Sequence, residues 1–199
     1  NKKEILVFEK DANKKETSFW EEKRPVPLTT GEFEDYIKRD SIETTRNSKV
    51  YLDSVDRVKN KFKIGNLLSG YTNEDSYNKK SFTVSGPVNG ISFNTVQGYN
   101  LSLNSNFTKR YNDYKNFITL SGAVNYSIET KRLRGGIQGY YKFNAINNAA
   151  VTASIGTKVE QFNSLEPIPK FHNTLSSLFF EKNYMKIYDR TFAKVNYSM

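Results

Sequence analysis

Ile91-Ser92-Phe93-Asn94-Thr95-Val96-Gln97-Gly98-Tyr99-Asn100-Leu101-Ser102-Leu103-Asn104-Ser105-Asn106-Phe107-Thr108 alternates with a period of two. Odd positions carry Ile91, Phe93, Thr95, Gln97, Tyr99, Leu101, Leu103, Ser105 and Phe107, a largely apolar set. Even positions carry Ser92, Asn94, Val96, Gly98, Asn100, Ser102, Asn104, Asn106 and Thr108, mostly small and polar. Successive side chains of a strand point to opposite faces, so the stretch predicts a strand with one apolar and one polar face. Its length is at least about twice the usual 5–6 residues of a globular strand.

The pattern returns three times. After a polar, aromatic loop over Lys109–Asn116, the even positions Ile118, Leu120, Gly122, Val124, Tyr126 and Ile128 form the apolar face. Opposite lie Thr119, Ser121, Ala123, Asn125 and Ser127. The turn Glu129-Thr130-Lys131-Arg132 leads to a third run. Its outward set is Leu133, Gly135, Ile137, Gly139, Tyr141 and Phe143, against Arg134, Gly136, Gln138, Tyr140 and Lys142. A fourth run places Ala149, Val151, Ala153, Ile155, Thr157 and Val159 opposite Thr152, Ser154, Gly156 and Lys158.

Such strands predict a mainly β fold, an antiparallel meander. In a soluble sandwich the apolar face meets a second sheet. In an outer-membrane β-barrel it meets lipid, and the other face lines a wet lumen. Strand length, the small polar inner face and aromatics near strand ends (Tyr111, Tyr114, Phe117, Tyr140, Tyr141, Phe143) favour lipid. Four or five such strands cannot close a barrel, since the smallest have about eight. The chain is therefore expected to form part of one and to be a fragment of a longer protein. It starts at Asn1 without a visible signal peptide and stops in the strand-like Lys194–Met199.

Charge divides the 199 residues. Residues 1–80 hold 17 basic and 15 acidic side chains, and residues 81–199 hold 13 and 6, for a total of +9. The shift predicts a boundary near Gly65–Phe82: a lead-in over 1–80 and a partial barrel over 81–199. In the lead-in, residues 4–8 read as a strand. Phe19–Leu28 reads as extended, because Pro25 and Pro27 fix a polyproline-like path, with Trp20 as its packing anchor. Thr29 and Glu32 form a capping box that starts a helix with Phe33, Tyr36 and Ile37 on one face. Tyr51, Val55, Val58 and Phe62 recur at helical spacing, which predicts a helix over 50–62 docked by that stripe. A helical insertion is expected near 171–190, from Leu175, Leu178 and Phe179, followed by Met185, Ile187 and Tyr188.

Composition excludes much chemistry. Without Cys there is no disulfide, thiolate nucleophile or thiolate metal site, and one His, His172, cannot build a His-rich zinc site. No apolar run approaches the roughly 20 residues of a membrane-spanning helix. His172 has no nucleophile pattern beside it and reads as incidental. Asp53 and Asp56 are three apart on a helix, as paired acid–base carboxylates can be, but Arg57, Lys59 and Lys61 around them indicate a solvated face. Gly135-Gly136-Ile137-Gln138-Gly139 lies inside a strand pattern, not before a helix, which disfavours a phosphate loop. Lys131, Arg132 and Arg134 are not interleaved with aromatics on one surface, so nucleic acid is not expected. Sequons at Asn100, Asn106, Asn125 and Asn196 are what an Asn/Ser/Thr-rich sequence produces by chance. No catalytic, cofactor-binding or metal-ligating residue is assigned.

Several blocks resemble a family. They are Phe19-Trp20-Glu21-Glu22-Lys23-Arg24-Pro25-Val26-Pro27-Leu28-Thr29, Asp35-Tyr36, Asp40-Ser41, Tyr51-Leu52-Asp53-Ser54-Val55-Asp56 and Asn66-Leu67-Leu68-Ser69-Gly70-Tyr71. Further blocks are Phe93–Leu101, Asn173–Phe180 and Asn183–Tyr188. Together they resemble Bacteroidetes outer-membrane proteins with an N-terminal carboxypeptidase-regulatory-like domain and a domain of unknown function. The resemblance implies an outer-membrane barrel in a longer protein, with residues 1–80 in the periplasm and a β-sandwich, non-catalytic domain upstream. It brings no catalytic residues. The expected role is transport across, or assembly and maintenance of, the outer membrane, with its lipid and other envelope proteins as partners. The alternative is a soluble or surface-exposed β-sandwich that binds a ligand such as a glycan.

Overall fold

The computed structural model describes residues 17–112 and 115–199, so the strand expected at residues 4–8 lies outside the described residues. The chain divides into two units, Asn1–Arg46 and Asn47–Met199.

In the first unit, helix α1 (Thr17–Lys23) occupies the start of the segment expected to be extended; the residues after it, up to Thr29, lie outside any helix or strand. Trp20 is not the expected anchor: it is exposed and meets the Phe19 ring edge-on at 5.3 Å. Helix α2 (Thr30–Asn47) begins at the capping box. The Glu32 carboxylate accepts the Thr29 N–H at 2.8 Å, and the Glu32 N–H reaches the Thr29 hydroxyl at 3.4 Å. Phe33, Tyr36 and Ile37 are exposed, with the Arg24 guanidinium 5.4 Å from the Tyr36 ring centre.

In the second unit, Ser48 caps helix α3 (Lys49–Lys59). The apolar stripe contributes less than expected, with the Phe62 ring 5.8 Å from that of Tyr71. Tyr51, Val58 and Phe62 are exposed and Val55 is half-buried. The docking groups are Asp56, expected to be solvated but buried here, and Asn60. The Asp56 carboxylate accepts the Ser76 N–H at 2.6 Å and the Ser76 hydroxyl at 2.7 Å. The Asn60 side chain donates to the Glu74 carbonyl at 2.7 Å and accepts the Glu74 N–H at 2.8 Å. The reason is backbone accounting. Glu74 lies on an outer strand, whose free N–H and C=O need polar partners that a valine cannot supply.

After the short helix α4 (Asn66–Ser69) come β1 (Tyr71–Asp75), β2 (Lys80–Val84), β3 (Ile91–Asn94), β4 (Gly98–Tyr111), β5 (Asn116–Ser127), β6 (Arg132–Lys142), β7 (Ala150–Gln161), helix α5 (Lys170–Phe179) and β8 (Ile187–Ser198). The strands form one antiparallel, eight-stranded sheet in the order β1-β2-β4-β5-β6-β7-β8, with β3 also paired to β4. Edges β1 and β8 do not pair with each other, so the sheet is open, not closed into a barrel. Alternation foretells four or five strands. Short, polar β1 lacks it and lies inside the segment expected to be lead-in, and β2 is only five residues long.

The stretch 91–107 is not one strand. It folds back at residues 95–97, pairing Ile91 with Leu101 and Phe93 with Tyr99. Gly98, at φ 67°, takes the left-handed conformation that this turn needs and that glycine adopts without penalty. Partners in this hairpin sum to an even number, so facing residues share parity. Ile91, Phe93, Leu101 and Leu103 therefore still share one face, and Asn94, Ser102 and Asn104 the other. In place of the loop expected over Lys109–Asn116, β4 runs on through Tyr111 and β5 starts at Asn116. The helical insertion ends at Phe179: Met185 is a buried loop residue, and Ile187 and Tyr188 open β8. Asn173, fully buried, sets that loop by accepting the N–H groups of Tyr184 and Met185 and donating to Asn183.

Burial is inverted relative to an ordinary soluble domain. Among the described residues the buried apolar side chains are Ala149, Ala150 and Met185, whereas Asp56, Asn94, Gln97, Asn100, Ser127, Arg134, Asn173 and Ser177 are buried polar ones. Leu103, Leu120, Val124, Leu133, Ile137, Ile155 and Val195 are exposed together on one face.

Candidate functional site: the polar trough

The face opposite the apolar one is a trough holding a cavity of about 860 Å³. Register builds its wall. Apolar β4 residues pair with apolar β5 residues (Leu101 with Tyr126, Leu103 with Val124, Phe107 with Leu120), so the polar sets of both strands also coincide. The same phase continues into β6 and β7, where Ser121 pairs with Gln138 and Gln138 with Ser154.

One end of the trough is a hydrogen-bonded hub. The Ser127 hydroxyl donates to Asn100 Oδ1 at 2.8 Å and accepts from Gln97 Nε2 at 3.0 Å and from Arg134 at 2.9 Å. Asn94 Oδ1 accepts the N–H groups of Val96 and Gln97 and fixes the turn that joins β3 to β4. Arg134 is 7% exposed and reaches across to Asp189, with Nε 2.5 Å from the carboxylate; Arg132 joins at 2.9 Å. A buried guanidinium stays charged at low cost only with such a partner. This hub ties β4, β5, β6 and β8 together. Helix α5 lies beside it against β3, where the Thr174 hydroxyl accepts the Phe93 N–H at 3.0 Å.

A floor of small residues follows. Ala123, Gly136 and Gly156 are cross-strand neighbours, with Phe192 next in the row. A Cβ on Gly156 would collide with the Gly136 Cα and sit 2.5 Å from the Gly135 carbonyl oxygen, so β6 and β7 approach here only because both positions are glycine. The glycine-rich Gly135–Gly139 stretch is thus part of a strand. The Phe192 ring tip fills the space over Gly136.

The remaining candidates stay apart. His172 is exposed on α5 beside Phe171. Asp53 pairs with Lys49 at the surface, and Asp56 holds Ser76. Lys131 lies in the β5–β6 turn, apart from the Arg132 and Arg134 pairing with Asp189. No group of His, Cys, Asp and Glu among the described residues is placed to hold a metal ion. The trough residues were visible in sequence only as the polar half of each strand. Which of them face one another depends on register, and no local signal encodes that.

No curated protein and no solved structure matches the chain. A family model does: the C-terminal domain of a family of unknown function, DUF5686, matches residues 65–199, from the residue before α4 through β8. That span contains all eight strands and the trough, so the chain belongs to the DUF5686 family.

Proposed function

We propose that residues 81–199 form part of a β-barrel in a bacterial outer membrane, with residues 1–80 on the periplasmic side, and that the protein serves transport across that membrane or its assembly and maintenance. The observation that carries this reading is the inverted burial. A face of exposed Leu, Ile and Val spans β4 to β8, and from β4 to Ile155 of β7 its only charge is Lys109 near a strand end. Arg110, Arg132, Arg134 and Lys142 belong to the opposite set. Lipid stabilises such an outer face and a hydrated lumen such an inner one.

Aromatic residues border the band. Tyr99 and Tyr126 lie towards one end; Tyr111, Tyr141, Phe143 and Tyr197 lie towards the other. Tyr126 and Ile118 are eight positions apart, about 26 Å at about 3.3 Å per residue, close to the roughly 25 Å apolar band of such barrels. A soluble sandwich would need a second apolar sheet over this face, which the described residues do not supply. In the barrel, the unpaired edge of β8 continues into a further strand, because open edges are not stable in hydrocarbon.

The reading makes lipid and other envelope proteins the partners and gives no role to nucleic acid. Membrane fractionation of the intact protein tests it. Sedimentation with outer membranes and release by detergent is the expected result. Recovery in the soluble fraction without detergent would refute it.

A further inference from the structure

One row of the trough has no partners. Asn106 pairs in register with Ser121, Ser121 with Gln138, Gln138 with Ser154, and Ser154 with Lys194. These five residues come from five adjacent strands and share the polar face. Other polar residues of this face are paired across strands: Asn125 donates to Ser102 at 2.9 Å, Ser127 to Asn100, and the hydroxyls of Thr108 and Thr119 meet at 3.0 Å. The five side chains of the row make no hydrogen bond or ion pair to the described residues. Two amides, two hydroxyls and an ammonium stand beside the row Ala123, Gly136 and Gly156, whose small size leaves space that the Phe192 ring tip fills only over Gly136.

From this juxtaposition we propose that the row Asn106–Ser121–Gln138–Ser154–Lys194 is a binding site for a sugar that carries an acidic group. Amides and hydroxyls donate and accept at once, as a polyol's hydroxyls require. The ammonium adds a charge-assisted bond to a phosphate or carboxylate. Within the row there is no carboxylate to repel an anion. The two carboxylates near the trough are already engaged, Asp189 by Arg132 and Arg134 and Glu160 by Arg190 and Lys158. Asn106, Ser121, Gln138 and Ser154 line the cavity of about 860 Å³, while Lys194, exposed on the outer strand β8, stands in register beside Ser154 outside that lining; the volume is in the size range of small-molecule sites and has room for a monosaccharide with its hydration. The inference needs only the trough, whichever solvent meets the outer face.

Titration calorimetry on the purified intact protein tests it, in a sugar-free detergent if detergent is needed. Glucose 6-phosphate, glucose and inorganic phosphate are the probes. Saturable binding of glucose 6-phosphate is expected, about tenfold tighter than either glucose or phosphate alone, since each lacks one half of the match. Lys194→Gln and Gln138→Ala should each weaken it several-fold while circular dichroism stays unchanged. Lys131→Gln, a turn cation outside the row, should leave it unaltered. No saturable binding, equal binding of glucose or phosphate, or unchanged affinity in both row variants would overturn the proposal. Because membrane fractionation is scored separately, the barrel reading and this site can fail independently.

Discussion

The two faces of β5 are built from alternate residues of one twelve-residue strand, yet they obey opposite rules. Outward, Leu120, Val124 and Tyr126 are exposed apolar groups with apolar cross-strand neighbours. Inward, Asn125 and Ser127 are partners in a polar network, and Ser127 is fully buried. Tertiary structure in this sheet is thus specified by buried hydrogen bonds, not by a buried apolar core. That arrangement is stable where the surroundings favour the apolar face, because each buried polar group must be satisfied internally.

The largest expected effect separates the faces by one residue. Leu103→Lys puts an ammonium on the apolar face near the middle of β4; Asn104→Lys puts it in the trough. In a membrane the first should cost about 2–4 kcal/mol and the second close to nothing. Equilibrium unfolding of both variants from lipid vesicles would give the difference. Equal tolerance would mean that the outer face meets water or protein.

A smaller effect separates two glycines. Gly156→Ala would drive its methyl into the β6 backbone, where neither chain has room to give. Overpacking of this kind costs about 1–3 kcal/mol. Gly139 lies on the apolar face, where an added Cβ would sit 3.6 Å from Leu120 Cδ2, an ordinary contact. Gly139→Ala should therefore change stability by less than about 0.5 kcal/mol. A comparison of denaturant midpoints decides it. Matching losses would remove the role assigned to the close approach of β6 and β7.

What could be read from the sequence follows the same division. The two-residue period over β4–β7 assigns every side chain of those strands up to Ile155 to its correct face. It even survives the unforeseen hairpin at residues 95–97, because the turn preserves parity. The same symmetry hides that turn: an unbroken strand and an even-sum hairpin have one pattern. Elements held by specific polar bonds were harder to see. Asp56 looks solvated among Arg57, Lys59 and Lys61, and its burial depends on Ser76, twenty positions away. The start of β8 falls inside the segment expected to be helical, because Ile187 and Tyr188 follow the helical spacing of Leu175, Leu178 and Phe179, and only the buried Asn173 sets the path. The row from Asn106 to Lys194 needed the register of five strands, which the order of residues along the chain does not give.

The smallest effect comes from α2, the region that shows what exposure to water looks like. Its apolar residues Phe33, Tyr36 and Ile37 are also exposed, but Glu32, Glu34, Asp35, Lys38 and Arg39 separate them. Here charge works at the helix end. The Thr29 N–H and hydroxyl both donate to the Glu32 carboxylate, which holds its carboxyl below the ordinary value of 4.5. The folded form binds its proton less readily than the unfolded one. The capping contribution is therefore fully present above about pH 4.5 and is lost as pH falls below it through the folded value. Amide NMR of Thr29 across pH 7 to 2 should show a midpoint below the ordinary carboxylate range. Thr29→Ala should bring the Glu32 carboxyl midpoint back up, at a cost of about 1 kcal/mol to the helix. An unchanged Glu32 midpoint in Thr29→Ala would show that the capping box is not what titrates.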